Sequence, residues 1–237
     1  MTGLPRLEVM EEAARLAPAV SERLAALRRR LAAAGGDPAR IKVLAVTKTF
    51  GPAAVIAAGL AGLEEVGENY AAELLEKKAA VEQAGGRARW HYLGAIQRNK
   101  VSRLAPAVSV WQGLSRVVEA EAIAARSPVI PAAFVEVNLS ERSDRPGVRP
   151  EEAANVVAGS RAAGIDVRGL MAVAPLPGEG PAAEEAFATA AWLGAELGLE
   201  ELSIGMSDDL EAAVRAGSTM VRVGRALFGP RDPHTAA

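Results

Sequence analysis

Short apolar runs alternate eight times with longer, alanine-rich stretches, and this alternation restricts the chain to folds in which parallel strands are joined by crossover helices. Strands are expected at 42–46, 65–67, 90–93, 108–112, 133–137, 167–172, 202–205 and 220–223. Helical stretches follow the first seven, at about 52–60, 70–83, 96–104, 116–126, 150–163, 181–197 and 208–216, with almost nothing after the eighth. In 237 residues, half of them apolar, such units suit one closed α/β domain over 1–237, a (β/α)8 TIM barrel. A doubly wound open sheet uses the same alternation, so pattern alone leaves both architectures standing. Ahead of the first strand, 5–35 places Ala13, Leu16, Val20, Leu24, Leu27 and Leu31 at helical spacing and ends on Gly35-Gly36, which predicts an extra N-terminal helix. The tail 230–237 reads as flexible, with His234 a terminal residue rather than a ligand.

Composition narrows the chemistry. The formal net charge is −2 with acids and bases interleaved, so no single-sign field favours nucleic acid or anionic lipid. There is no cysteine, and His91 and His234 are the two imidazoles, which argues against disulfides, thiolate sites and a transition-metal centre. The first residues carry acids early and lack an apolar core segment of the signal-peptide kind, and no apolar run approaches the roughly 20 residues of a membrane span. A soluble cytoplasmic protein with a small-molecule partner is expected.

In a barrel of this kind chemistry collects where strands end. VLAVTKTF puts Lys48 just past an apolar strand; it is either a solvated lysine or a partly desolvated amine able to condense with an aldehyde. MVRVGRALFG sets Arg222 and Gly224 on the parity of Met220, so a guanidinium shares the barrel interior, paired with a carboxylate such as Glu136 or waiting for a ligand. The N–H groups of Gly224 and Arg225 can face a phosphate. In LSIGMSDDLEAAV, Ser207 reads as the N-cap of the next helix, a position that also suits an anion. Asn69, in VGENY, is an N-cap or a hydrogen-bonding neighbour of a ligand. His91, in WHYLGAIQRNK, is more simply a satisfied interior histidine, and FVEVN places Phe134, Glu136 and Asn138 on one face.

Taken together, VLAVTKTF, GENYAAELLEK, WHYLGAIQRNK, EVNLSERSDRPG, GLMAVAP and LSIGMSDDLEAAVRAGSTMVRVGRALFG resemble the pyridoxal-phosphate homeostasis family, from Lys42 to Gly229 in order and spacing. These proteins are similar to the barrel domain of bacterial alanine racemase. The resemblance implies pyridoxal 5'-phosphate as cofactor, Lys48 as its Schiff-base lysine, Asn69 beside the ring, Ser207 on the phosphate and Arg222 at the pyridine nitrogen. It further implies that Met206, Gly224 and Arg225 line ring and phosphate, and it includes His91 in the site. At 140–147, SERSDRPG departs from the family's usual pattern: Asp144 and Arg145 stand where Ser-Lys is usual, and arginine keeps the charge but forms no Schiff base. Ala95 stands where a larger or polar residue is common.

The implied function is a non-catalytic, monomeric carrier or buffer of pyridoxal phosphate, with apo-enzymes as recipients, no residue in a catalytic role and no metal. The alternatives are an amino-acid racemase, which needs acid/base groups on both faces of the ring, and a Schiff-base aldolase acting on sugar phosphates. An arginine at the ring nitrogen disfavours the proton that carbanion chemistry draws on, and Tyr70 and Tyr92 both lie within barrel motifs.

Overall fold

The computed structural model describes residues 6–230, so the predicted tail and His234 fall almost wholly outside the described residues, as does Pro5 at the start of the predicted helix. Eight parallel strands close on themselves in sequence order: β1 Lys42–Val46, β2 Glu65–Glu68, β3 Arg89–Tyr92, β4 Val110–Leu114, β5 Ala132–Val137, β6 Asp166–Ala172, β7 Glu201–Ser203 and β8 Met220–Val223. The closing pair is β8 with β1, in which Leu44 registers with Arg222 and Ala45 with Val223. The barrel is therefore realised and the open sheet is not.

Parity explains why the strands read as nearly continuous apolar runs. A strand covered on both faces needs apolar residues at odd and even positions alike. Leu44, Val110, Ala132, Phe134, Met171 and Met220 form the packed interior, with Leu93 against them. Their strand neighbours, among them Val43, Ala45, Trp90, Trp111, Val135 and Val221, join a separate cluster with the surrounding helices. The strand expected at 108–112 runs from Val110 to Leu114 instead, and the β4–β5 register shifts between Trp111 and Leu114. Gly113 sits in that irregularity, where a Cβ would come 2.7 Å from the Gly94 carbonyl.

The predicted N-terminal helix is α1, Arg6–Ala33, and Val9, Ala13, Val20, Leu24, Leu27 and Leu31 are its buried face. The crossover helices are α2 Pro52–Leu60, α3 Ala71–Gln83, α4 Arg98–Leu104, α5 Val117–Ala124, α6 Ala153–Ala162, α7 Ala183–Glu196 and α8 Leu210–Arg215. After β8 comes one further turn, α9 Arg225–Phe228. Helix α1 lies against α2, α8 and α9, across the flank where β8 meets β1, and Arg23 Nη1 donates to the Leu227 carbonyl at 3.2 Å. Among the described residues no helix is long and apolar enough to cross a membrane, and no group of three or more His, Cys, Asp or Glu is placed to hold a metal ion.

If α1 is an integral wall of this flank, Leu24→Ala should lower stability by about 2–5 kcal/mol in urea denaturation. Truncating the exposed Leu7 of the same helix should change it by less than about 0.5 kcal/mol. Equal small effects would mean that α1 contributes little to the core.

Candidate functional site

Seven of the residues singled out in the sequence, Lys48, Asn69, Met206, Ser207, Arg222, Gly224 and Arg225, line one cavity of about 490 Å3 at the C-terminal mouth of the barrel. A depression of about 550 Å3 lies at the opposite end, between Arg28, Pro38, Lys42 and Glu64. It borders the N-terminal ends of the strands, where barrel residues serve stability rather than chemistry.

Lys48 is half-buried in a turn closed by the Phe50 N–H on the Thr47 carbonyl at 3.0 Å. The next residue, Thr49, has φ 66, a left-handed conformation that a β-branched residue adopts only under constraint. The constraint is a buried ionic cluster. Lys77 Nζ, on α3, donates to the Thr47 carbonyl (2.7 Å), Glu68 Oε1 (2.5 Å) and Glu73 Oε1 (2.8 Å). The Thr47 hydroxyl donates to the same Glu68 oxygen, and the Thr49 N–H to the same Glu73 oxygen, each at 2.6 Å. Burial pushes the Glu68 carboxyl pKa up, against the pull of Lys77.

Arg222 is 6% exposed, and among the described residues it makes no ion pair or hydrogen bond with a carboxylate, so of the two readings the sequence left open the pairing with Glu136 is not the one seen. Its Nη1 donates to the Ser203 carbonyl and, at 3.0 Å, to the Ser203 hydroxyl; Nη2 donates to the Ala172 carbonyl at 2.9 Å. Burial lowers its pKa to about 10, so it stays cationic at neutral pH. A guanidinium has five N–H groups, and these bonds use three of them.

His91 is the one predicted site residue that the structure keeps away from the cavity. It is 1% exposed, a layer below, with Nδ1 2.9 Å from Gln112 Nε2 and Nε2 3.4 Å from Glu65 Oε2. Burial pushes its pKa down, which leaves a neutral ring accepting from Gln112. Gln112 Oε1 accepts the Ser203 hydroxyl at 2.7 Å, so His91 reaches Arg222 only through Gln112 and Ser203.

Two local readings also change. Ser207 is not an N-cap, because α8 begins two residues later with Asp209 as its cap, and the Asp209 carboxylate accepts the Met206 N–H at 2.6 Å. Ser207 therefore lies in the turn before the helix. Asn69 is likewise not the cap of α3, a place taken by Tyr70, and it lines the cavity instead. Among the described residues the N–H groups of Ser207, Gly224 and Arg225 donate to no backbone carbonyl. Gly224 also needs its missing side chain, since a Cβ there would stand 3.0 Å from the Val46 carbonyl.

Glu136 is the cavity residue that sequence reasoning assigned to another task. Its parity with Phe134 was the available signal. Its pKa is pushed up to about 7 from an ordinary 4.5 by burial, with Arg222 pulling the other way. The folded chain thus holds this proton more tightly than the unfolded chain, so the ligand-free protein should lose stability as pH rises from about 4.5 to about 7, by up to about 3 kcal/mol in all. Glu136→Gln should remove that part of the pH dependence in denaturant titrations across the window. An unchanged slope would contradict the burial of an ionisable Glu136.

Over residues 18–232 the chain matches the family model for the alanine racemase N-terminal domain. It is 40% identical over 223 residues to the pyridoxal phosphate homeostasis protein of Pseudomonas aeruginosa, covering 92% of this chain and 96% of that one. The solved structure of PipY from Synechococcus elongatus with PLP bound has a TM-score of 0.76 at 31% identity, covering 89% of this chain and all of PipY. An alanine racemase from Corynebacterium glutamicum shares the fold, with a TM-score of 0.63 at 18% identity over 90% of this chain and 61% of its own.

Proposed function

This chain belongs to the alanine racemase N-terminal domain family, among its pyridoxal phosphate homeostasis proteins, and on that premise we propose that it holds pyridoxal 5'-phosphate on Lys48 as a non-catalytic carrier. The observation that carries the reading is the gathering of Lys48, Asn69, Ser207, Arg222, Gly224 and Arg225 around one cavity. PipY, a relative over the whole of its own length, has PLP bound.

The residues present fit this group. Bound there, pyridoxal phosphate supplies an aldehyde carbon, an anionic phosphate and a ring nitrogen. Lys48 Nζ would add to the aldehyde carbon as a neutral amine, making a C=N bond while the carbonyl oxygen leaves as water. The Gly224 and Arg225 N–H groups and the Ser207 hydroxyl would bind the phosphate; each hydrogen bond to the anion is worth about 1.5–3 kcal/mol. Arg222 keeps two N–H groups beyond those given to Ser203 and Ala172, one of them suited to a ring nitrogen. Asn69 would sit beside the ring with Met206.

A carrier reading is favoured over a racemase by Arg222, whose charge at a ring nitrogen disfavours the proton that carbanion chemistry draws on, and by the lack of a tyrosine among the cavity-lining residues described, Glu136 being the raised-pKa carboxyl there. Racemisation needs a second acid or base facing Lys48 across the ring. Tyr70 is exposed and Tyr92 is buried against Trp111, and neither lines the cavity. An aldolase reading has no use for the buried Arg222. The recipients of the cofactor are then apo forms of enzymes that use it, and the protein acts in the cytoplasm as a monomeric barrel.

The purified protein should be yellow or become so on reconstitution, and Lys48→Ala should lose the visible band. A protein that stays colourless with pyridoxal phosphate would overturn the reading. Holo-protein given L-alanine should show no sustained change in optical rotation; turnover above about 1 per second would make it an enzyme.

A further inference from the structure

Lys77 touches neither the cavity nor the residues that would bind phosphate, yet it governs the turn on which Lys48 stands. Lys77 is 5% exposed, and all three acceptors of its ammonium belong to one small cluster. One acceptor is the Thr47 carbonyl, directly before Lys48. Another, Glu73, simultaneously holds the Thr49 N–H, directly after Lys48. The third, Glu68, holds the Thr47 hydroxyl and immediately precedes Asn69. Both chain neighbours of Lys48 are thereby tied to a single cation.

Stability alone is a poor account of this cluster. Taking a lysine and a carboxylate out of water costs about as much as their attraction returns, and apolar residues of similar size often serve the fold as well or better. The geometry imposed is the distinctive part: with Glu73 on its N–H, Thr49 stays at φ 66, and the turn closes as Phe50 N–H meets the Thr47 carbonyl. A relaxed Thr49 would leave the left-handed region and swing the Lys48 stem with it.

We propose that Lys77, acting through the Thr47 carbonyl and through Glu73, is a positioning residue that holds the Thr47–Phe50 turn so that Lys48 is presented for covalent capture of an aldehyde in the cavity. The inference rests on the reading of the site as a pyridoxal phosphate pocket and adds to it a residue outside that pocket. It also separates two parts of the site. The cluster ties down the β1 and β2 ends, whereas Ser207, Gly224 and Arg225 lie beyond β7 and β8 and receive none of its bonds.

That separation gives the test. The full-length protein is titrated by calorimetry with pyridoxal 5'-phosphate and with pyridoxine 5'-phosphate, which has an alcohol where the first has an aldehyde. Lys77→Met should weaken binding of the aldehyde about tenfold or more, the effect of one lost charge-assisted hydrogen bond. Binding of the alcohol should change by less than about twofold, as for a distant site. The pH at which the bound aldehyde's visible band changes should also move. Glu73→Ala, at a carboxylate whose side chain is 24% exposed, should reproduce the split and decides the matter if Lys77→Met fails to fold. Folded variants in which both ligands weaken equally, or in which neither does, overturn the positioning role. Wild-type protein that takes up neither ligand overturns instead the reading on which the inference rests.

Discussion

Arg222 puts a permanent positive charge inside the barrel, and much of the interior is arranged around that charge. No carboxylate pairs with it there; it is held by the Ser203 hydroxyl and by the carbonyls of Ser203 and Ala172. Ser203 is in turn fixed by Gln112, and Gln112 by His91. A guanidinium buried with part of its donor set still open is costly unless something else accepts from it. On the proposed reading that acceptor is the ring of the ligand, and the protein's own carbonyls settle the direction in which the remaining N–H groups point.

Closure of the barrel is what makes this charge useful to Lys48. The two lie at opposite ends of the sequence, but β1 and β8 are hydrogen-bonded neighbours, with Leu44 beside Arg222. In an open sheet that did not pair these strands, the amine and the guanidinium would belong to different edges. Helix α1 and the short α9 pack over the same flank, so the part of the wall carrying both residues has extra helices against it. Glu136 completes the set from β5 with a carboxyl that burial keeps largely protonated below about pH 7, which limits its repulsion of an anionic ligand.

Much of this was legible in the sequence, for identifiable reasons. Strand parity carried Arg222 and Gly224 into the interior alongside Met220, and the glycine-ended heptad of leucines gave α1 to within a few residues. The errors have a common origin in contacts that are remote along the chain. His91 belongs to a motif shared with site residues, but the β3–β4 register lowers it onto Gln112, a layer beneath the cavity. Ser-Asp-Asp has the composition of a helix start, yet Asp209 reaches back to the Met206 N–H and the helix starts two residues later. Lys77, in LLEKK, carried no signal of its own in the sequence, and only the packing of α3 against the ends of β1 and β2 buries it. Glu136 was visible as an inward residue, but its partner could not be read from parity alone.

The central claim is that one amine, Lys48, retains the cofactor, and reductive trapping tests it most directly. Protein saturated with pyridoxal 5'-phosphate is treated with borohydride, digested, and mapped by mass spectrometry. The account expects the reduced phosphopyridoxyl group on the peptide containing Lys48, at close to one per chain. A label found instead on Lys42, Lys77, Lys78 or Lys100, with Lys48 unmodified, would contradict it.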